Sequence, residues 1–186
     1  MNYLITGGTG LIGKALISKL LLQNSSITVL TRNVEKAQQL FKEKVTYISE
    51  LSSENVENSD VVINLAGEAI ADKRWSTAQK ESICKSRWHI TATLVGLINR
   101  AKNPPSLFIS GSAIGVYGRQ GEQVINEDFT NHHQEFTHEV CYKWEQLALN
   151  AKSASTRVAL LRTGIVLAEK GGAVGKMLLP FKLGLG

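Results

Sequence analysis

Ten residues near the N-terminus, LITGGTGLIG at positions 4–13, constrain the fold of this 186-residue chain more than any other segment. The residues before the glycines, Tyr3–Thr6, form a short and mainly apolar run, which predicts a β-strand. The residues after them, from about Leu11 to Leu22, carry apolar side chains at helical spacing. Glycine permits a turn and a close backbone approach that a Cβ atom would block. The segment therefore predicts the first strand, turn and helix of a βαβ unit.

Apolar runs and helical patterns alternate along the rest of the chain, which predicts an α/β fold: a Rossmann-type, doubly wound parallel sheet with helices on both faces. Six strands are predicted, at Tyr3–Thr6, Ile27–Thr31, Val45–Ile48, Val61–Leu65, Leu107–Ser110 and Arg157–Leu161. Helices are predicted at about Leu11–Leu22, Val34–Lys44, from Ser76 to the Lys102–Pro105 break, and Thr137–Lys152. Residues 49–59 are predicted to form a polar connector, and about 115–133 a loop.

Composition narrows the class of ligand. The net charge of +5 favours anionic ligands, but Lys and Arg are scattered and no aromatic-rich basic stretch indicates nucleic-acid binding. Cys84 and Cys141 lie far apart without zinc-ligand spacing, which fits a reducing compartment and predicts no metal site. No run approaches the roughly 18 apolar residues of a membrane span. We expect a cytoplasmic protein with a small-molecule substrate and neither nucleic acid nor membrane as partner; the oligomeric state is left open.

The glycines match two dinucleotide-binding patterns. Gly8, Gly10 and Gly13 satisfy G-x-G-x-x-G, and Gly7, Gly10 and Gly13 satisfy G-x-x-G-x-x-G. A helix that begins directly after such a turn presents free amides and the positive end of its dipole to phosphate groups. The predicted pyrophosphate-binding residues are Gly7, Gly8, Thr9, Gly10, Leu11, Ile12 and Gly13. A glycine-rich turn without a ligand is the alternative.

The residues after the second strand indicate which dinucleotide binds. An acidic side chain about 20 residues past the glycines would accept hydrogen bonds from the ribose hydroxyls of NAD. Here the strand ends Thr31-Arg32-Asn33, and the first carboxylate, Glu35, already lies in the next helix. A guanidinium matches the geometry of a 2′-phosphate, and Thr31 adds a hydroxyl. Thr31 and Arg32 therefore favour NADP(H), although Arg32 could instead be a solvated surface residue.

With these motifs, Asn64–Gly67 after the fourth strand and Ser110-Gly-Ser112 after the fifth, the chain resembles the extended short-chain dehydrogenase/reductase superfamily. Its Arg74-Trp75, Ser86-Arg87 and Trp144-Glu145 pairs, the LRTGIVL run at 161–167 and the closing segment are similar to an atypical, NAD(P)-dependent, sugar-epimerase-like branch. Members of that branch continue beyond the LGLG ending. We therefore expect residues 1–163 to form an NADP-binding Rossmann domain and residues 164–186 to begin a truncated C-terminal substrate lobe.

The resemblance also implies cofactor contacts. Thr31 and Arg32 would hold the adenosine phosphate, and the backbone at Leu65, Ala66 and Gly67 would pass the cofactor. Arg87 and Val166 would lie near it. An ordinary strand exit at residues 64–67 and a structural ion pair at Arg87 are the alternatives.

A typical member of the superfamily uses Ser, Tyr and Lys, with Tyr and Lys four residues apart on one helix. Two tyrosines of this chain fail that spacing, because Gly121 stands four residues after Tyr117 and Gln146 four after Tyr142. The two motif positions align with Cys141 and Glu145. Helical periodicity puts Val140, Trp144, Leu147, Ala148 and Ala151 on the core face. Tyr142 and Lys143 are accordingly predicted to be solvated.

The candidate catalytic residues are Ser112, Tyr117 and Cys141. Ser112 would bond a substrate carbonyl or hydroxyl, with Ser110 as an alternative, and Tyr117 would supply a phenolic donor. Cys141 is a poor base beside a carboxylate, so a buried packing role is its alternative. His132, His133 and His138 lack metal-ligand spacing and are predicted to be solvated loop residues.

The sequence thus predicts an NADP(H)-binding, nucleoside-sugar-epimerase-like protein, an oxidoreductase on a carbonyl or hydroxyl substrate with a degenerate Tyr/Lys pair. The alternative is a non-catalytic NADP(H) sensor or regulatory protein.

Overall fold

A computed structural model describes residues 1–41, 44–168 and 181–184. The strands are β1 (Asn2–Thr6), β2 (Ser26–Leu30), β3 (Thr46–Ile48), β4 (Val61–Asn64), β5 (Leu107–Ala113) and β6 (Arg157–Thr163). The helices are α1 (Leu11–Leu21), α2 (Val34–Phe41), α3 (Ser53–Glu57), α4 (Thr77–Arg100) and α5 (Phe136–Leu149), with a short 3₁₀ helix at Ile114–Tyr117. Most of the predicted lobe at 164–186 lies outside the described residues, as do residues 42 and 43 of the predicted second helix.

The six strands form one parallel sheet in the order β3-β2-β1-β4-β5-β6. The chain order reverses between β1 and β4, which makes that boundary the switch point of a doubly wound sheet. Ligands of such sheets bind outside the carboxyl ends of the strands at this point. The predicted Rossmann fold is confirmed, and its ligand crevice lies at the boundary between β1 and β4.

Both faces of the sheet are covered by helices. Neighbouring residues of a strand point to opposite faces, so Leu4 packs on one side and Ile5 on the other. The first side holds the buried cluster Leu4, Val56, Val62, Leu94, Val95, Ile98, Phe108, Ala148 and Ala151. The second holds Ile5, Ile17, Leu20, Ile27, Val29, Phe41, Val45, Val61 and Ile63. Two separate apolar layers explain why the strands read as near-continuous hydrophobic runs.

Several boundaries differ from the sequence prediction. The polar connector at 49–59 contains α3, which Ser52 and Asn55 begin with a reciprocal capping box. At α4, Ser76 Oγ accepts from the Gln79 amide as predicted. The Ser76 amide donates to the Arg74 carbonyl instead of the Gln79 side chain, so that capping box is only half formed. Strands β5 and β6 both extend beyond their predicted ends.

Helix α5 largely follows its predicted faces. Val140, Trp144 and Ala148 are buried, whereas Tyr142 is 47% exposed. The prediction that His138 is a solvated loop residue was wrong. His138 is only 5% exposed and lies in the first turn of this helix. Its Nδ1 bonds the Val116 carbonyl oxygen at 2.5 Å, which brings the ring inward. Within the described residues, the structure contains no helix that is both long and apolar enough to cross a membrane.

Candidate functional site

The glycine turn lies between β1 and α1 and touches the segment after β4. Gly7 has φ of 69°, a left-handed conformation that favours glycine. A Cβ atom on Gly7 would overlap the carbonyl oxygen of Leu65 and lie 2.7 Å from the Ala66 amide nitrogen. A Cβ atom on Gly13 would lie 2.5 Å from the Gly7 carbonyl oxygen. The predicted close approach therefore exists, and two of the predicted cofactor segments, 7–13 and 65–67, meet at this turn.

The N-terminus of α1 opens on the same turn. Gly10 is its N-cap and supplies no side-chain hydrogen bond. The Gly10 amide donates to the Gly7 carbonyl at 3.0 Å, while the Leu11 and Ile12 amides belong to the first turn, where no intrahelical carbonyl is available. Thr9, Gly10 and Ile12 are exposed. The turn therefore offers backbone donors and a positive dipole end to an anion at the switch point.

A buried polar chain joins the ends of β1 and β4 to α4. Thr6 Oγ1 donates to Asn64 Oδ1 at 2.6 Å, and Asn64 Nδ2 donates to Thr91 Oγ1 at 2.8 Å. Thr91 Oγ1 in turn donates to the Arg87 carbonyl at 2.7 Å. The Thr6, Asn64 and Thr91 side chains are fully buried. Because each of these buried side chains has a hydrogen-bond partner, the three bonds hold α4, and with it Arg87, in a fixed position against the carboxyl edge of the sheet.

Arg87 contributes a half-buried cation to this edge. Its Nη1 donates to the Ile83 carbonyl at 3.0 Å, and its guanidinium lies 5.4 Å from the ring centroid of Trp144. A Cβ atom on Gly67 would approach the guanidinium carbon to 2.9 Å, so the guanidinium lies directly against this glycine. Burial lowers the pKa of Arg87 from its ordinary value. None of the ion pairs found among the described residues includes Arg87, and its charge is available to an anion.

Thr31 and Arg32 follow β2 at the same edge of the sheet. The Thr31 amide continues the ladder by donating to the Ile48 carbonyl at 2.9 Å. Arg32 is exposed, and the nearest carboxylate along the chain, Glu35, lies in the exposed first turn of α2. Val166 lies beyond the end of β6 and is partly exposed. The structure thus puts Thr31 and Arg32 at the carboxyl edge of the sheet, and the cofactor contact of Val166 stays a prediction.

A second polar cluster lies at the ends of β5 and β6, where Ser112 and Arg162 are register partners. Ser112 Oγ donates to Glu145 Oε1 at 2.5 Å. Arg162 donates to both oxygens of Glu145 at 2.9 Å, from Nε and from Nη2. Arg162 Nη1 donates to Tyr117 Oη at 3.0 Å. The structure therefore brings predicted residues Ser112 and Tyr117 together through Glu145 and Arg162, neither of which was assigned a site role from the sequence.

The sequence carries one signal that could have predicted part of this cluster. Parallel strands end at the same edge of a sheet, so a charged residue at the end of an apolar strand is a candidate for that edge. Arg162 follows the apolar run at 158–161 in this way. The hydrogen bond to Glu145 raises the pKa of Arg162 further above its ordinary value, so the guanidinium stays charged. The cation that accompanies Glu145 therefore comes from β6 and not from the helix that carries Glu145.

Cys141 packs beside this cluster without bonding to Ser112. Its side chain belongs to a small buried group with Val116 and Tyr117. Burial raises the pKa of the Cys141 thiol to about 11. The thiol is therefore protonated at neutral pH, which disfavours a role as a base. The geometry agrees better with the packing alternative than with catalysis.

Two of the three predicted histidines, His132 and His138, form a group of aromatic rings next to Tyr117. The His132 ring is 5.9 Å from the Tyr117 ring and 5.2 Å from that of His138, and His138 stacks on Tyr142 at 5.4 Å. His132 is partly buried and its Nε2 lies 2.9 Å from the Phe129 carbonyl oxygen, whereas His133 is exposed as predicted. The prediction that all three histidines are solvated loop residues is therefore correct only for His133. The other two rings support the loop that carries Tyr117.

The parallel sheet, the switch point and the glycine turn define a Rossmann-type nucleotide-binding class of protein. Residues 3–173 match the family model described as the NAD dependent epimerase/dehydratase family, and the chain belongs to that family. The resemblance to an NAD(P)-dependent, sugar-epimerase-like branch is confirmed by this match and by the SDR39U1 relatives described next.

Relatives in that branch are longer than this chain. It is 35% identical over 185 residues to an epimerase family protein of Staphylococcus haemolyticus, covering 100% of this chain and 62% of the relative. It is 39% identical over 188 residues to the chloroplastic SDR39U1 homolog of Arabidopsis thaliana, covering 97% of this chain and 53% of the relative. The crystal structure of human epimerase family protein SDR39U1 (isoform 2) with NADPH has a TM-score of 0.83 at 30% identity, over 100% of this chain and 61% of that one.

Proposed function

We propose that this chain binds NADP(H) across the switch point. The carrying observation is the left-handed Gly7 pressed against Leu65, which removes side chains from the place where a pyrophosphate would approach the α1 N-terminus. The residues fit the group: Gly7–Gly13 offer backbone donors, and Arg87 offers an unpaired cation beside Gly67. When bound, a nicotinamide cofactor supplies hydride transfer. The NADPH in the structure of human SDR39U1 supports the same ligand here.

Preference for NADP(H) over NAD(H) would come from Thr31 and Arg32. The end of β2 carries a hydroxyl and an exposed guanidinium where NAD-binding proteins carry a carboxylate. A guanidinium binds phosphate bidentately, and an aspartate would repel it. The 2′-phosphate of NADP(H) is therefore the group that Arg32 would recognise.

The proposed activity is oxidoreduction at a carbonyl or hydroxyl carbon of a small molecule, as the family's epimerase chemistry requires. Ser112 and Tyr117 would contact the reacting oxygen, because both lie where β5 ends at the carboxyl edge of the sheet. By the motif alignment, Cys141 and Glu145 of α5 would stand in place of the superfamily's Tyr/Lys pair. A cytoplasmic location remains a prediction.

Arg32→Ala tests the cofactor assignment. Isothermal titration calorimetry on the full chain should show NADPH affinity falling about 10- to 100-fold, the size of a lost charge-assisted hydrogen bond or two, with NADH affinity unchanged. Arg100→Ala is the matched control, because it removes the same charge from the exposed last turn of α4. Equal losses for NADPH and NADH, or an equal effect of Arg100→Ala, would contradict the assignment.

The substitution of the Tyr/Lys pair also favours a second candidate, an NADP(H) sensor without turnover. The two differ in one measurement. An enzyme oxidises NADPH in the presence of some carbonyl in a panel, seen as loss of absorbance at 340 nm, whereas a sensor binds NADPH and leaves the absorbance constant.

A further inference from the structure

Glu145 is a buried carboxylate that the proposed cofactor site does not use. Only 4% of the residue is exposed. Its carboxylate accepts three hydrogen bonds, one from Ser112 and two from Arg162. Burying a charge is unfavourable unless the charge is paired and hydrogen-bonded, and this set of donors satisfies both conditions. Glu145 is thus held in one orientation as a hydrogen-bond acceptor.

Arg162 fixes that orientation from β6. Nε and Nη2 form the two parallel bonds to Glu145, and Nη1 donates to both Tyr117 Oη and the Glu127 carbonyl at 3.0 Å. The guanidinium also lies 5.1 Å from the Tyr117 ring centroid. A planar fork with this many partners has little freedom to rotate. Arg162 therefore links the carboxylate and the phenol in one rigid unit.

The direction of the hydrogen bond from Ser112 to Glu145 determines whether Ser112 can donate to a ligand or only accept from it. A hydroxyl has one proton to donate and two lone pairs. The Ser112 proton is donated to Glu145 at 2.5 Å, a length typical of a strong bond to a carboxylate. Toward a substrate, Ser112 consequently presents lone pairs. It accepts from a substrate hydroxyl, and it donates to a substrate carbonyl only after Glu145 returns the proton.

Tyr117 has the complementary arrangement. Its oxygen accepts from Arg162, and no described residue receives a hydrogen bond from its hydroxyl. The Tyr117 hydroxyl proton can therefore be donated to a ligand oxygen, with the guanidinium stabilising negative charge that develops there.

We propose that Ser112 and Glu145 form a proton relay, in which Ser112 takes the proton of a substrate hydroxyl as it passes its own proton to Glu145. Arg162 is the positioning residue that holds the carboxylate. The relay rests on the proposed oxidoreductase function.

The atoms of the step balance. The substrate O–H bond breaks and a new O–H bond forms at Ser112, while the former Ser112 proton forms an O–H bond at Glu145 Oε1. The electron pair of the substrate O–H bond forms the carbonyl π bond as the hydride on the same carbon passes to the cofactor. In reduction every transfer reverses, and the protonated Glu145 supplies the proton.

Glu145→Gln and Ser112→Ala test the relay in the full chain, with NADPH oxidation followed against a carbonyl panel that begins with 9,10-phenanthrenequinone. Each variant should lower kcat by about 10²- to 10⁴-fold, the usual contribution of a positioned acid or base. KM and NADPH affinity should stay within about twofold, because the relay acts on the reacting oxygen and does not hold the cofactor. Ser112→Ala leaves the Glu145–Arg162 ion pair intact and keeps the test valid if Glu145→Gln does not fold.

The double variant separates a relay from two independent contacts. Residues that act as one unit give non-additive effects, so Ser112→Ala with Glu145→Gln should be no slower than the slower single variant. Independent roles would multiply the losses and overturn the relay. Glu139→Gln is the matched control, since it makes the same chemical change on an exposed residue of α5 and should leave kcat unchanged.

Chemical rescue distinguishes proton transfer from a structural role. In Glu145→Ala, added formate should restore kcat in a saturable manner, because a small carboxylate can occupy the vacated space beside Ser112 and Arg162. Single-variant rates within threefold of the original chain, or a loss that formate leaves unchanged, would overturn the proposal. So would a chain that binds NADPH and reduces no carbonyl in the panel. Failure to bind NADPH would instead overturn the proposed cofactor site, so the two failures are distinguishable.

Discussion

Among single residues, Gly7 has little freedom to change. Its φ of 69° is strained for any residue with a Cβ atom, and that atom would also overlap the Leu65 carbonyl. The two effects together should cost about 3 kcal/mol for Gly7→Ala. For a chain of this size we expect Tm to fall by about 6–12 °C, measured by circular dichroism.

Gly121→Ala is the control for that substitution. A Cβ atom at Gly121 would meet nothing within 4 Å. Its Tm should stay within about 2 °C of the original value, since substitutions without new contacts have small effects. A similar fall for both variants would mean that the contact with Leu65 is not what requires glycine at position 7.

Cys141 offers a prediction that depends on its pKa. Because burial raises the pKa of this thiol to about 11, only about one molecule in a thousand carries the thiolate at pH 8. In a Cys84→Ser background, iodoacetamide should therefore react at pH 8 far more slowly than with a free thiol. The rate should rise with pH up to about 11. Rapid alkylation of the folded chain at pH 8, followed by mass spectrometry, would show that the thiolate is stabilised and would restore Cys141 as a catalytic candidate.

Among helices and strands, the hydrogen bonds that join β1, β4 and α4 contribute to the free energy of unfolding, and that contribution can be measured. Thr91→Val keeps the shape of the side chain but leaves Asn64 Nδ2 without its acceptor in a buried position. An unsatisfied buried donor costs about 1–3 kcal/mol, so the free energy of unfolding in urea should fall by that amount. NADPH affinity should fall as well, because α4 also carries Arg87.

Thr93→Val provides the comparison on the same helix. Thr93 Oγ1 also donates to the carbonyl four residues earlier, that of His89, but at an exposed position. Water can replace the lost partner there, so the expected change is within about 0.5 kcal/mol. Equal destabilisation by the two substitutions would show that the helical back-bond matters, and not the link to Asn64.

The sequence predicted the order and type of the main elements because apolar periodicity is a local signal. It missed α3, whose five residues are too short and polar for that signal, although Ser52 and Asn55 carry a cap pattern. It also ended β5 at Ser110, because Gly111 is a poor strand residue by propensity. In the structure a Cβ atom at Gly111 would lie 2.9 Å from the Trp144 ring, so packing, not propensity, explains glycine there.

Across the molecule, the geometry of the glycine turn was predictable from the sequence and the polar cluster was not. The glycine turn is contiguous in sequence, and its mechanical requirement is visible in the residue types. Ser112, Glu145 and Arg162 come from β5, α5 and β6, and only the folded register brings them together. The pattern of a single helix, α5, predicts that Glu145 stands at the lysine position of the motif, but it carries no information on Arg162, the cation that contacts Glu145.

The chain as a whole should report NADPH binding through its thermal stability. A ligand that binds only the folded state stabilises it by about 2.7 kcal/mol at 100 times its Kd. For a chain of this length that corresponds to a rise in Tm of about 5–10 °C, which should grow with the logarithm of NADPH concentration. The same concentration of NADH should give a smaller rise, and Arg32→Ala should reduce the NADPH shift to the NADH value. Identical shifts for both nucleotides in the original chain would contradict the proposed recognition of the 2′-phosphate, because the two ligands differ in that group alone.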